Sequence, residues 1–159
     1  MKEAKFFYND KYAPVPNRPN HIGVSVFIVN KDKLLLEYRK DSDLWAVVGG
    51  GLKIDENLKD CAVREVYEET GINVDTQKLN FYKIYDNPTR IASYPDGNIL
   101  RVITVTFIYK PENENIILKC SEESKELKFF SKEEVRSLNI AKTHFPLIED
   151  FLNGFDLLK

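Results

Sequence analysis

Between Gly50 and Ile72 the chain carries four glutamates, Glu56, Glu65, Glu68 and Glu69, together with Arg64 and the glycines Gly50, Gly51 and Gly71. The spacing predicts a helix over Leu58–Thr70: Asn57 is a good N-cap, Asp60 follows it by three residues, and Gly71 supplies a left-handed terminator. At about 100° per residue, Leu58, Cys61, Ala62 and Val66 fall on one stripe, and Glu65 and Glu69 fall within that same stripe, with Glu68 at its edge. An ordinary amphipathic helix puts its acids on the opposite face. Like charges at this spacing repel, and burial raises the cost. Arg64 can hold Glu68 four residues on, but one guanidinium does not balance three acids. The missing charge is most simply a divalent cation, and an all-oxygen donor set selects Mg2+ or Mn2+ over zinc. His21 and His144 lie far apart and Cys61 and Cys120 are isolated, so no zinc-type cluster is visible. The competing reading is an acidic helix held by Arg64 and local ion pairs.

The segment resembles the signature of the Nudix hydrolases, with Gly50, Glu56, Arg64, Glu65, Val66, Glu68, Glu69, Gly71 and Ile72 filling every specified position. The resemblance implies water attack on phosphorus in a nucleoside diphosphate linked to another group: a nucleotide, a nucleotide sugar or an ADP-ribose-like molecule. It implies that Glu65, Glu68 and Glu69 hold the metal, that Glu56 assists through a metal or its water, and that Arg64 orients the glutamates. It leaves the general base unassigned. Val48, Lys53 and Asp55 depart from common residues of the loop, and Asp55 is expected to take a turn that glycine enters more easily. The alternative is a catalytically silent nucleotide-binding regulatory module of the same fold. The presence of all four glutamates favours the enzyme.

The elements that position this helix read as a single α/β domain, a Nudix-like α/β/α sandwich with a mixed sheet flanked by helices. Residues 1–20, with Pro14, Pro16 and Pro19, read as an extended N-terminal arm, and residues 21–159 as the domain. A hairpin over His21–Val29 and Lys33–Arg39 precedes a short strand at Trp45–Val48, giving the strand, loop and helix order that the glutamates require. Leu79–Tyr85, Ile99–Tyr109, Asn115–Leu118 and Glu126–Phe130 are further strands, and helices are expected from Ser131 and over Phe145–Leu152. The 25 acids against 23 bases leave a net charge of −2, so no basic field points to a nucleic-acid polymer. No apolar run reaches membrane length, and two cysteines without a framework point to the cytoplasm.

Outside the helix, Glu126 beside the apolar run Leu127–Phe130 is a further metal-ligand candidate, ahead of Glu123. Gly50, Gly51, Arg39 with Lys40, and Arg90 and Tyr94 in the long loop are candidates for binding a small-molecule nucleotide. The proline-bearing arm is a candidate contact for a homodimer.

Overall fold

The computed structural model describes residues 3–113 and 115–156 of the chain. Its strands are β1 (Lys5–Phe7), β2 (His21–Asn30), β3 (Lys33–Arg39), β4 (Trp45–Val47), β5 (Gly49–Gly51), β6 (Asn80–Tyr85), β7 (Ile91–Ser93), β8 (Ile99–Tyr109) and β9 (Ser124–Phe130). The helices are α1 (Leu58–Thr70), α2 (Lys132–Val135) and α3 (Phe145–Leu152). The sheet runs β1-β7-β8-β2-β3-β4, with β5 on β2, β6 on β8 and β9 on β3. Parallel pairing of β2 with β8 makes it mixed. Lys31 and Asp32 are left-handed (φ 51° and 62°), as a two-residue hairpin turn requires. Beyond Val29↔Leu34 the two strands part, and each takes other partners.

That divergence curls the sheet between two apolar layers. Val24, Val26 and Ile28 of β2 and Leu35 of β3 pack with Cys61, Ala62 and Val66 of α1. Phe27, Leu34 and Leu36 point the other way and pack with Leu147, Ile148 and Phe151 of α3. The alternation is the period of two that a pleated strand imposes. It also puts Glu37, two residues after Leu35, on the α1 side.

Helix α1 has the predicted bounds. Asn57 accepts the Asp60 N–H, and Gly71 closes the helix at φ 77° with its N–H on the Tyr67 carbonyl. Helix α3 also has its predicted bounds, whereas α2 is only a single turn behind the Ser131 and Glu134 capping box. Four expectations need correction. Asn115–Leu118 is not a strand. Strand β9 begins at Ser124, two residues early, because it pairs with β3 up to Arg39. Asp55 lies in a turn but is not among the residues of positive φ, so its backbone needs no glycine. The arm is not wholly extended, since turns interrupt it: although residues 1 and 2 lie outside the described residues, Lys5–Phe7 pairs with β7, and Asn17 bonds Ile99 and Gly97.

Candidate active site

Three neighbouring elements bring the acids together. Strand β5 pairs with β2 (Ser25↔Gly49), and its glycines let α1 approach closely. A Cβ on Gly50 would run into the Glu65 carboxylate, and one on Gly49 into the Val24 carbonyl. The Gly49 N–H donates to Glu69 Oε2 at 3.4 Å.

Arg64 organises three of the acids. Its Nε and Nη2 fork the Glu56 carboxylate at 2.8 and 2.6 Å, and Nη1 reaches Glu65 at 2.8 Å and Glu68 at 3.1 Å. Nη2 also donates to the Gly51 carbonyl at 3.1 Å, tying helix to loop. The fork holds the Glu56 carboxyl down at about 2. Glu56 in turn accepts the Lys53 N–H at 2.9 Å, which fixes the loop before the helix.

Glu69 has no such partner. It is buried beside Glu37 of β3, each only 5% exposed, and no cation among the described residues forms an ion pair with either. Burial, and for Glu69 also the Glu37 charge, raises both carboxyls above the ordinary range. Ser124 Oγ donates to Glu37 Oε2 at 2.8 Å. Arg64 therefore offsets the charge of Glu56, Glu65 and Glu68, and the charge that no ion pair offsets sits at Glu37 and Glu69, where Arg39 acts on Glu37 only from beyond ion-pair distance.

The pair opens on a cavity of about 640 Å³, within the range that holds a nucleotide-sized ligand. Glu65, Glu69, Gly50 and Gly51 line it, as do Arg39, Lys40 and Tyr94. Arg39 is pinned by Asp41 and lies over the Phe6 ring at 5.1 Å from its centroid. Phe6 in turn meets Tyr94 edge-on at 6.3 Å. Glu56 and Glu68 lie outside the cavity wall and act on it through Arg64.

Two sequence candidates fall elsewhere. Arg90 is fully buried, with Nε on the Thr143 carbonyl and Nη1 on the Tyr85 and Val102 carbonyls and Thr104 Oγ1. It braces the wall from behind and is not positioned to touch a substrate in the cavity. Glu126 is exposed on β9, opposite Tyr38, while Glu123 lines the cavity. The reversal follows from the turn before β9, where the Lys40 N–H holds the Glu123 carbonyl at 3.1 Å. The sequence reading missed Glu37, Phe6 and His144. An acid closing the apolar run Leu34-Leu35-Leu36 was a usable signal for the first, but nothing marked the other two.

Among the described residues no helix is long and apolar enough to cross a membrane. The chain resembles solved NUDIX structures: the NUDIX domain of Shewanella oneidensis NrtR complexed with ADP ribose (18% identity, TM-score 0.68, 94% of this chain and 95% of that one). A bifunctional NMN adenylyltransferase/ADP ribose pyrophosphatase from Francisella tularensis, solved with AMP and a Mn ion, gives a TM-score of 0.71 at 24% identity, over 90% of this chain but only 43% of that one. In sequence, a MutT-like protein of Streptomyces ambofaciens is 30% identical over 84% of this chain and 77% of its own. An ADP-ribose pyrophosphatase of Methanocaldococcus jannaschii is 29% identical over 79% of this chain and 69% of its own. The NUDIX domain family matches residues 19–151, which include β2 through most of α3 and all four glutamates of the α1 segment, and the chain belongs to that family of hydrolases.

Proposed function

We propose that the protein hydrolyses the phosphoanhydride bond of a nucleoside diphosphate linked to a second group, by water attack on phosphorus, and that it depends on Mg2+ or Mn2+. The observation that carries this reading is the buried Glu37 and Glu69 pair, which forms no ion pair among the described residues and faces the cavity. An all-oxygen donor set suits a hard cation, so the residues present fit Mg2+ or Mn2+. No three acidic, histidine or cysteine side chains among the described residues already stand at ligand spacing. Glu65, Glu69 and Glu37 would hold the ion, with Glu68 swinging in from outside the cavity wall as Arg64 yields part of its hold on Glu65 and Glu68. When bound, such an ion offsets charge on the bridging oxygens and lowers the pKa of water.

The chain's own residues supply the rest. The glycines of β5 let the diphosphate approach the backbone beside Glu65, and Arg39 and Lys40 offer positive charge to its oxygens. Phe6 and Tyr94 wall the space for the nucleoside. The relative named as an ADP-ribose pyrophosphatase makes sugar-linked diphosphates the first class to assay. Cys61 and Cys120 are both free thiols, which fits a reducing compartment, and we assign the protein to the cytoplasm. With its arm paired to its own β7, a homodimer would use another surface.

The test is a panel of nucleotide sugars, ADP-ribose, dinucleotides and nucleoside triphosphates with each metal, read by product identification. Release of a nucleoside monophosphate is expected, and Glu69→Gln should lower turnover by orders of magnitude with the circular dichroism spectrum intact. Tight nucleotide binding without product under either metal would replace hydrolysis with the regulatory reading.

A further inference from the structure

One wall of the cavity is built from Thr104, Thr143 and His144, none of which the carboxylate chemistry uses. His144 is held in one state. Its Nδ1 accepts the Val47 N–H at 3.2 Å, so a neutral ring carries its proton on Nε2, and Nε2 has no partner among the described residues. Burial, then the charges of Arg90 and Arg39, bring its pKa down to about 3, so the ring stays neutral across the physiological range.

Thr104 is similarly committed. Its Oγ1 accepts Arg90 Nη1 at 3.0 Å, which turns its own hydroxyl proton away from Arg90. Behind both stands Arg90, buried without an ion-pair partner among the described residues and with Nη2 unbonded. The wall therefore offers an imidazole N–H and a hydroxyl hydrogen, backed by an uncompensated positive charge. Ala92 and Val102 line the cavity with it and leave apolar space, and Phe6, the cross-strand partner of Ala92, and Tyr94 pack in the same cluster.

Resting on the hydrolase reading above, we propose that this wall is the base-recognition subsite and that it reads a keto oxygen. The substrate class is a nucleoside diphosphate derivative with a 6-oxopurine base, hypoxanthine or guanine, in preference to its 6-amino counterpart. A keto oxygen accepts from His144 Nε2–H and lies in the favourable field of Arg90. An exocyclic amino group would present hydrogens to hydrogens at the same place, and a site that loses a designed hydrogen bond discriminates strongly.

The experiment compares inosine and adenosine forms of the same diphosphoribose, which differ only at the base. Wild type should favour the inosine form in kcat/KM by at least about tenfold, mainly through KM. His144→Leu should collapse the ratio toward one by raising KM for the inosine form, and His144→Gln, which keeps an N–H donor, should retain part of it. Calorimetry of inosine and adenosine monophosphates on the wild-type protein gives the same comparison without turnover. If neither diphosphoribose nor any other compound of the substrate panel is cleaved but inosine monophosphate binds more tightly, the hydrolase reading fails and the subsite stands. An adenosine preference in either assay, or a ratio unchanged in His144→Leu, overturns the subsite whatever the turnover. Should His144→Leu fail to fold, the wild-type ratio and His144→Gln still decide it.

Discussion

Replacing Glu37 by glutamine isolates the uncompensated charge, and its effect can be worked from the structure. Both carboxyls of the Glu37 and Glu69 pair are raised from the ordinary 4.5, so the metal-free folded protein binds a proton that the unfolded chain releases above that value. Stability from such a group is fully present below pH 4.5 and is lost as pH rises toward the folded value. Holding one proton at pH 7 on a carboxyl of ordinary value 4.5 costs at most about 3 kcal/mol, and at pH 5 under about 1 kcal/mol. Glutamine has no proton to lose, can donate an N–H to Glu69, and can still accept from Ser124 through its carbonyl. For a chain of this size about 2–4 °C accompanies each kcal/mol. Thermal unfolding in a chelator should then show Glu37→Gln melting up to about 6–12 °C above wild type at pH 7, and less than about 4 °C above it at pH 5. Added Mn2+ should raise the wild-type midpoint more than that of the variant, because the cation does for Glu37 what the substitution does. A variant that melts at or below wild type at pH 7, or a gap that does not narrow by pH 5, would refute the uncompensated pair and with it the strongest argument for metal.

Two further substitutions separate roles that the sequence alone confused. Arg90→Met removes four hydrogen bonds from the interior, to the Thr143, Tyr85 and Val102 carbonyls and to Thr104, so it should destabilise by about 3 kcal/mol or more in thermal unfolding. A melting point within about 2 °C of wild type would return Arg90 to the status of a surface loop residue. Gly50→Ala places a Cβ against the Glu65 carboxylate, and a displacement of that order should lower kcat/KM by about a hundredfold with the fold intact by circular dichroism. Activity within about threefold of wild type would mean that the close approach of β5 to α1 has no catalytic consequence.

The parts of the site that were legible in the sequence are those fixed by local chemistry. Asn57, Asp60 and Gly71 set the ends of α1 through contacts within four residues, so its bounds follow from residue type alone. The placement of Glu65 and Glu69 within the apolar stripe follows from helical period, and Glu69 is indeed buried while Glu68 is exposed. Phe6 and His144 were not legible, because each reaches the cavity through pairings with distant chain: β1 with β7, and His144 with Val47. Arg90 and Glu126 were misplaced for the same reason, since a loop arginine and a strand acid declare neither depth nor face before their register is known.

The charge count itself shifted once register entered. Counted along the helix, one arginine faces three acids and the deficit is spread among them. In space Arg64 satisfies Glu65 and Glu68, and draws in Glu56 as well, so α1 alone is closer to the acidic helix held by local ion pairs than its spacing suggested. The demand for a cation arises one layer away, where the period-two alternation that sends Leu35 to α1 sends Glu37 there too, against the one helix glutamate that Arg64 does not reach. An acid at the end of a leucine run is costly on either face of a buried strand. Here the face is the one on which Glu69 already lies, and a fold that brings two buried carboxylates together beside an open cavity needs either a proton or a metal ion between them.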